Sequence, residues 1–185
     1  MRKITSIALA VGCASILAAP IAQAEERTCR GSLGGITVDN LRVPDGATCT
    51  LNGTTVKGTI KVESNATLVA DSVRVVGNVQ AENAKKVIVR AGSRVGGSVQ
   101  IVQGGSGRVE RSTVQGDILF DDNVAKVAAI RSTVGGNIQA FQNTGGVEIR
   151  GNRVDGNLQC KENRPAPVGG GNVVDGNKED QCANL

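Results

Sequence analysis

The chain has no histidine, no tryptophan and no tyrosine, and its only aromatic residues are Phe120 and Phe141. Without histidine, Ser-His-Asp and Cys-His catalysis are closed to it. A zinc site would have to form without imidazole, and no Cys-x-x-Cys pair occurs either, so no metal and no cofactor is expected. Sugar-processing grooves usually offer aromatic platforms, and two phenylalanines supply almost none. Regular threonine ladders of the ice-binding kind are missing too, since Thr48-Cys49-Thr50 is the only Thr-x-Thr pattern of that sort. No amphipathic helical stretch follows residue 24. What remains abundant is glycine, 25 residues of it, with many valines, so any core must be built from small and β-branched side chains.

The first residues, MRKITSIALAVGCASILAAPIAQA, read as a signal peptide occupying 1–24. Arg2 and Lys3 form a positive start, Ile4 to Ala19 is uncharged and mostly apolar, and Ala22-Gln23-Ala24 places small residues where a signal peptidase inspects the chain. Cleavage after Ala24 is expected, leaving an exported chain that is periplasmic or secreted and has no transmembrane segment. Without Arg2 and Lys3 the 21 basic residues fall to 19 against 17 acidic ones, a balance of +2. So even a balance is unlike a dedicated nucleic-acid binder, and no nucleic-acid partner is expected.

Cys13 leaves with the signal peptide, and Cys29, Cys49, Cys160 and Cys182 remain. An even number in an exported chain points to disulfides, and four cysteines allow three pairings. The local choice is Cys29–Cys49 with Cys160–Cys182, spacings of 20 and 22, one bridge near each end. Each closes a loop worth about 3 kcal/mol in the loop-entropy model.

Residues 134–143, VGGNIQAFQN, return twenty residues later as VDGNLQCKEN. The unit Val-x-Gly-polar-aliphatic occurs seven times, with glycines Gly58, Gly77, Gly97, Gly116, Gly136, Gly156 and Gly176 at spacings of 19 or 20. A valine stands two residues before each glycine. Thr59, Asn78, Ser98, Asp117, Asn137, Asn157 and Asn177 directly follow them. The aliphatic position fails only in the last copy, where Lys178 reads as the charge that stops a stacked core. A degenerate copy lies upstream: VPDGATC, 43–49, aligns with VESNATL, 62–68, and puts Cys49 in the core slot of Leu68.

Within a unit the residues alternate. Val134, Gly136, Ile138 and Ala140 fall on one face of a strand, and Gly135, Asn137, Gln139 and Phe141 on the other. A second apolar run follows, as in Val147-Glu148-Ile149, after turn-formers such as Asn143-Thr144-Gly145-Gly146. Units this short cannot close a domain each. The expected fold is an all-β, single-domain parallel β-helix of about seven coils, wound right-handed by the general preference of parallel crossovers. The repeat glycines are read as structural, permitting a bend or close packing at a coil corner. A sandwich gives no reason for one fixed step, and a propeller blade needs about twice the length. The expected division is a signal peptide 1–24, an N-terminal cap with a degenerate first coil 25–57, the repeats 58–176 and a C-terminal cap 177–185.

The stretch GNLQCKENRPAPVGGGNVVDGNKEDQC, 156–182, resembles the C-terminal signature of a family of exported bacterial β-helix repeat proteins. VPDGATCTLNGTTVKG, 43–58, and the GNVQ-type coils look like the same group, so the resemblance covers nearly the whole mature chain. It implies export and a β-helix, and no particular activity. In architecture the chain is also similar, more distantly, to bactofilins, polymer-forming β-helical proteins, although a signal peptide and disulfides depart from their cytosolic pattern.

Three rows carry candidate chemistry. Arg90, Arg111, Arg131 and Arg150 follow the second apolar run of their coils at spacings of 21, 20 and 19. Stacked, they would form a guanidinium column, a grip for an anionic polymer, unless acids such as Glu110 and Glu148 answer them. Gln80, Gln100, Gln139 and Gln159 read as a structural amide ladder. Asp117, Asp121 and Asp122 make an acidic group that matches no calcium-loop spacing. A glycosidase-type carboxylate pair stays open among the 17 acids. The expected function is a non-catalytic structural or assembly element of the cell envelope or extracellular space. The alternatives are a binding module for an anionic polymer or surface through the arginine row, and, third, a polysaccharide-active enzyme. The partners considered are a second copy of the chain or an anionic envelope polymer.

Overall fold

The computed structural model describes residues 25–185; the expected signal peptide and its cleavage site lie outside the described residues. The described chain is all-β. It winds into a parallel β-solenoid of three sheets, with nine, eight and eight strands, in which each strand pairs with the strand three further along the chain. One coil is typical: Ile138–Phe141 lies in the first sheet, Val147–Arg150 in the second and Arg153–Val154 in the third. We call these the glutamine face, the arginine face and the narrow face, whose strands are only two residues long.

The coil count is about eight, one more than the repeat suggests. Residues 25–57 already form two turns: Glu26–Thr28, Gly31–Leu33 and Thr37–Val38, then Asn40–Val43, Thr48–Asn52 and Thr55–Val56. The expected cap thus takes the form of coils itself. At a strand spacing of about 4.8 Å, eight coils make a rod of roughly 35 Å.

Register makes the core continuous. On the glutamine face Leu41, Ile60, Val79, Val99, Ile118, Ile138 and Leu158 stack in one inward column. Charges close it at both ends, Arg27 over Leu41 and Lys178 over Leu158. Cys49 pairs in register with Leu68, as the repeat alignment requires, and is fully buried. The predicted alternation holds along Ile138–Phe141: Ile138 and Ala140 are buried, while Gln139 and Phe141 are partly exposed. Phe120 is the one aromatic ring inside. Its room comes from Gly107, whose column is otherwise valine at Val87 and Val127; a Cβ at Gly107 would lie 2.8 Å from Ile101 Cδ1 and 3.4 Å from the Phe120 ring.

Both expected disulfides are formed, Cys29–Cys49 and Cys160–Cys182, and all four cysteines belong to the buried core. Each bridge ties a terminal stretch to the coil beside it.

The corners are where polar groups enter. At the turn from glutamine face to arginine face, Asn123, Asn143 and Asn163 point inward and are buried. Asn143 Oδ1 accepts from the Asn123 backbone N–H (3.1 Å) and side-chain Nδ2 (2.9 Å), and Asn163 Oδ1 does the same for Asn143 (3.1 and 2.8 Å). Gln181 closes the row, its Oε1 accepting from Asn163 N (2.9 Å). At the turn into the narrow face Ser93, Ser112, Ser132, Asn152 and Asn172 form a second buried row; Asn152 Oδ1, for example, accepts from Ser132 N at 3.0 Å. The residue just before each inward one, such as Arg111, Arg131, Asp122 or Gln142, has positive φ, which swings the chain so that the next side chain turns in.

Candidate functional site

The third corner, at the repeat glycines, carries the longest row. From Asn40 through Thr59, Asn78, Ser98, Asp117, Asn137 and Asn157 to Asn177, each side-chain oxygen accepts the backbone N–H of the equivalent residue one coil on, at 2.6–3.3 Å. These side chains lie over the glycines of the next coil: a Cβ at Gly156 would sit 2.6 Å from Asn137 Oδ1 and 2.7 Å from the Gly136 carbonyl. Close approach, rather than an unusual φ, is therefore what requires glycine here. The row also absorbs Asp117, whose carboxylate accepts from Asn137 N and Nδ2.

The remaining acids of that group do not join it. Asp121 and Asp122 are neighbours in sequence, and burial, then the charge of Asp122, pushes the Asp121 carboxyl above the ordinary aspartate range. Among the described residues no three acids or cysteines converge as a metal site.

The glutamine row lies on the exposed side of its face but is interrupted. Gln80 donates to Gln100 (3.4 Å), and Gln139 to Gln159 (2.8 Å), which donates on to Glu179 (2.8 Å). Leu119 stands in register between Gln100 and Gln139 and breaks the ladder in two.

The four arginines do not form one column. Strand pairing stacks Arg90 with Asp71 on one side, and Ile130 with both Glu110 and Arg150, so Arg90 and Arg150 share a column with one acid, Glu110, and one isoleucine, Ile130, between them. Arg111 and Arg131 each fall one residue later, at the positive-φ corner, and are neighbours across one coil, Arg111 N donating to Ile130 O and Arg131 N to Arg150 O. Acids answer three of the four. Asp71 takes Arg90 through both oxygens, at 2.6 and 3.2 Å. Glu148, nearly buried, pairs with Arg150 and with Lys126 (2.8 Å). Glu110 pairs with Arg108 (2.7 Å) and more distantly with Arg111 (3.8 Å); the Arg108 bond above all holds the Glu110 carboxyl below the usual glutamate range.

The narrow face shows arginines that the spacing argument missed. Its outward column reads Thr37, Thr55, Arg74, Arg94, Thr113, Thr133, Arg153, Val173. Arg74 and Arg94 are therefore side by side on adjacent strands and fully on the surface. The signal was present in the repeat, as the residue directly before Val75 and Val95.

No family model, no curated protein and no solved structure matches the chain. The disulfides are compatible with an oxidising, exported compartment. Among the described residues no helix is long and apolar enough to cross a membrane.

Proposed function

We propose that the protein is an exported, non-catalytic structural element of the cell envelope or extracellular space. The observation that carries this reading is that side chains bond from coil to coil at all three corners, along nearly the whole rod at the repeat glycines and from Asn123 to Gln181 at the turn into the arginine face, which commits the repeat's polar interior groups to stacking. Asp117 belongs to one of those rows, and Glu110 and Glu148 are held by basic neighbours, so the acids best placed by the repeat serve the rod. Two bridges fastening the terminal coils suit a protein that persists outside the reducing cytosol. The signal-peptide pattern of 1–24 and the family resemblance of 156–182 support export in the same direction. Ends closed by Arg27 and Lys178 in the core column favour a rod of fixed length over one that extends end to end.

The test is sedimentation of the oxidised mature protein, alone and with envelope purified from its own source. Pelleting with envelope, and not alone, is the expected result. Protein that stays in solution with and without envelope would overturn the reading.

A further inference from the structure

Charge is segregated along the narrow face. At one end Lys57 is paired with Asp39 (3.0 Å), and at the other Arg153 is paired with Asp175 (2.7 Å) and Asp155 (3.8 Å). Between them, over four coils, the outward residues of the face are Arg74, Val76, Arg94, Gly96, Thr113, Gln115, Thr133 and Gly135, without one acid. Arg111 and Arg131 stand on the corner that borders the same stretch, two residues before Thr113 and Thr133. Among the described residues Arg74, Arg94 and Arg131 make no ion pair at all. Like charges on adjacent strands destabilise a sheet unless something answers them. Among the described residues the other like-charged pair in register, Arg42 and Lys61, is answered by Glu63, and this stretch has no such acid.

The floor is also unlike the other faces. Gly96 packs its backbone directly against the Val76 carbonyl and Gly135 against that of Gln115, with no space for a Cβ, so bare main chain runs beside the arginines. The result is a shallow trough of about 430 Å³ lined by Arg74, Val76, Arg94, Gly96, Thr113 and Gln115. The groove on the glutamine face is larger, about 630 Å³, but Lys61 there is offset by Glu63 and Glu82.

We propose that this stretch of the narrow face binds a linear acidic polysaccharide, its carboxylates taken by Arg74 and Arg94 in the trough and by Arg111 and Arg131 along its border. The guanidinium fork matches a carboxylate in two hydrogen bonds. Thr113, Gln115 and Thr133 offer the hydroxyl and amide groups that a chain bearing hydroxyls between its charges would meet. A single-stranded nucleic acid would want aromatic platforms for its bases, and the face has none. A membrane surface would want buried apolar area, and Val76 is the only large apolar side chain exposed in the trough. Four coils about 4.8 Å apart span roughly 14 Å, so the polymer lies along the rod axis and touches successive coils.

The experiment is affinity electrophoresis of the oxidised mature protein in gels containing polygalacturonate, its fully methyl-esterified form, polyphosphate or single-stranded DNA. Polygalacturonate is expected to retard the protein, less so as salt rises, and the neutral ester is expected not to. Arg74→Ser with Arg94→Ser should weaken that binding about tenfold or more, from two lost charge-assisted contacts. Arg90→Ser with Arg150→Ser removes the same charge from the answered column and should leave it near the parent value. Equal losses in both double variants, retardation by polyphosphate or DNA as strong as by polygalacturonate, or no retardation by polygalacturonate would each overturn the proposal. All four substitutions are at the surface, and unchanged far-UV circular dichroism shows that the rod is intact. Should the trough variant still pellet with envelope while losing nothing in the gel, this inference falls and the structural reading stands.

Discussion

The buried asparagine row makes a quantitative demand on stability, tested most sharply at Asn143. Its Oδ1 accepts from Asn123 N and Nδ2, and its Nδ2 donates to the carbonyls of Phe120 (3.0 Å) and Phe141 (2.9 Å) and to Asn163 Oδ1 (2.8 Å). Asn143→Ala removes all of these at once. The Phe141 carbonyl keeps its bond from Asp122 N, and Asn163 Oδ1 keeps the one from Asn143 N. The Asn123 backbone N–H and one hydrogen of its side-chain amide are left without partners in a buried site. At about 1–3 kcal/mol for each orphaned group, the expected cost is about 2–6 kcal/mol. A mid-range urea slope of about 2 kcal/mol/M turns that into a midpoint lowered by roughly 1–3 M, with the slope itself unchanged. Far-UV circular dichroism is the probe of choice, because a chain without tryptophan or tyrosine offers little fluorescence. Thr144→Ala, one residue along and exposed, is the control and should move the midpoint by less than about 0.5 kcal/mol in equivalent stability. If Asn143→Ala were indistinguishable from Thr144→Ala, the claim that the ladder holds the corner would be refuted.

Gly156→Ala should destabilise the rod by about 1–3 kcal/mol, because its methyl meets Asn137 Oδ1 and the Gly136 carbonyl, whereas Gly34→Ala, with open space around it, should be near neutral; paired urea melts compare them. Reduction of both disulfides should lower the thermal midpoint by on the order of 10 °C, at about 3 kcal/mol for each bridge, and thiol titration of the unfolded, unreduced mature protein should find no free cysteine. Glu110 has its pKa lowered in the folded state, so its stabilisation is present above the ordinary glutamate pKa and is lost as pH falls through the lowered value. Glu110→Gln should therefore melt lower than the parent at neutral pH, and the two curves should converge in acid; a constant gap at every pH would contradict the Arg108 pairing.

Much of this architecture was legible in the residues because its cause is periodic. A fixed step of 19 or 20 with alternating apolar positions leaves few ways to bury the apolar set, and it assigns Cys49 to the slot of Leu68, its partner in the strand register. The first coil was harder to see, since Arg27, Gly31 and Thr37 keep the stacking register without the Val-x-Gly signature. Asn123, Asn143 and Asn163 repeat at the same step, but they sit in segments whose glycines and polar residues read as turns, and a turn residue gives no sign of pointing inward. The arginine row failed for an arithmetical reason. Spacings of 21, 20 and 19 average to the repeat, yet the strands here pair at a step of 20, which puts Glu110 and Ile130 in register with Arg90 and Arg150 and leaves Arg111 and Arg131 one position later, on a corner. On a strand one position changes the face, so a column argument needs register and not mean spacing. Arg74 and Arg94 carry only a weak signal in the sequence, because a pair at one step looks like ordinary surface charge until the acids around it are placed.

The ladders also constrain how such a molecule can change over generations. Each coil is bonded only to the coils on either side of it, through the same acceptors and the same donors, so duplicating or deleting one whole coil restores every bond at the joint. Half a coil would move inward side chains to the outside and leave the three corner rows out of step with the backbone N–H groups they accept from. Length in this lineage should therefore come in whole-coil increments, about 20 residues and about 4.8 Å at a time, with the bridged terminal coils kept and the interior coils free to multiply.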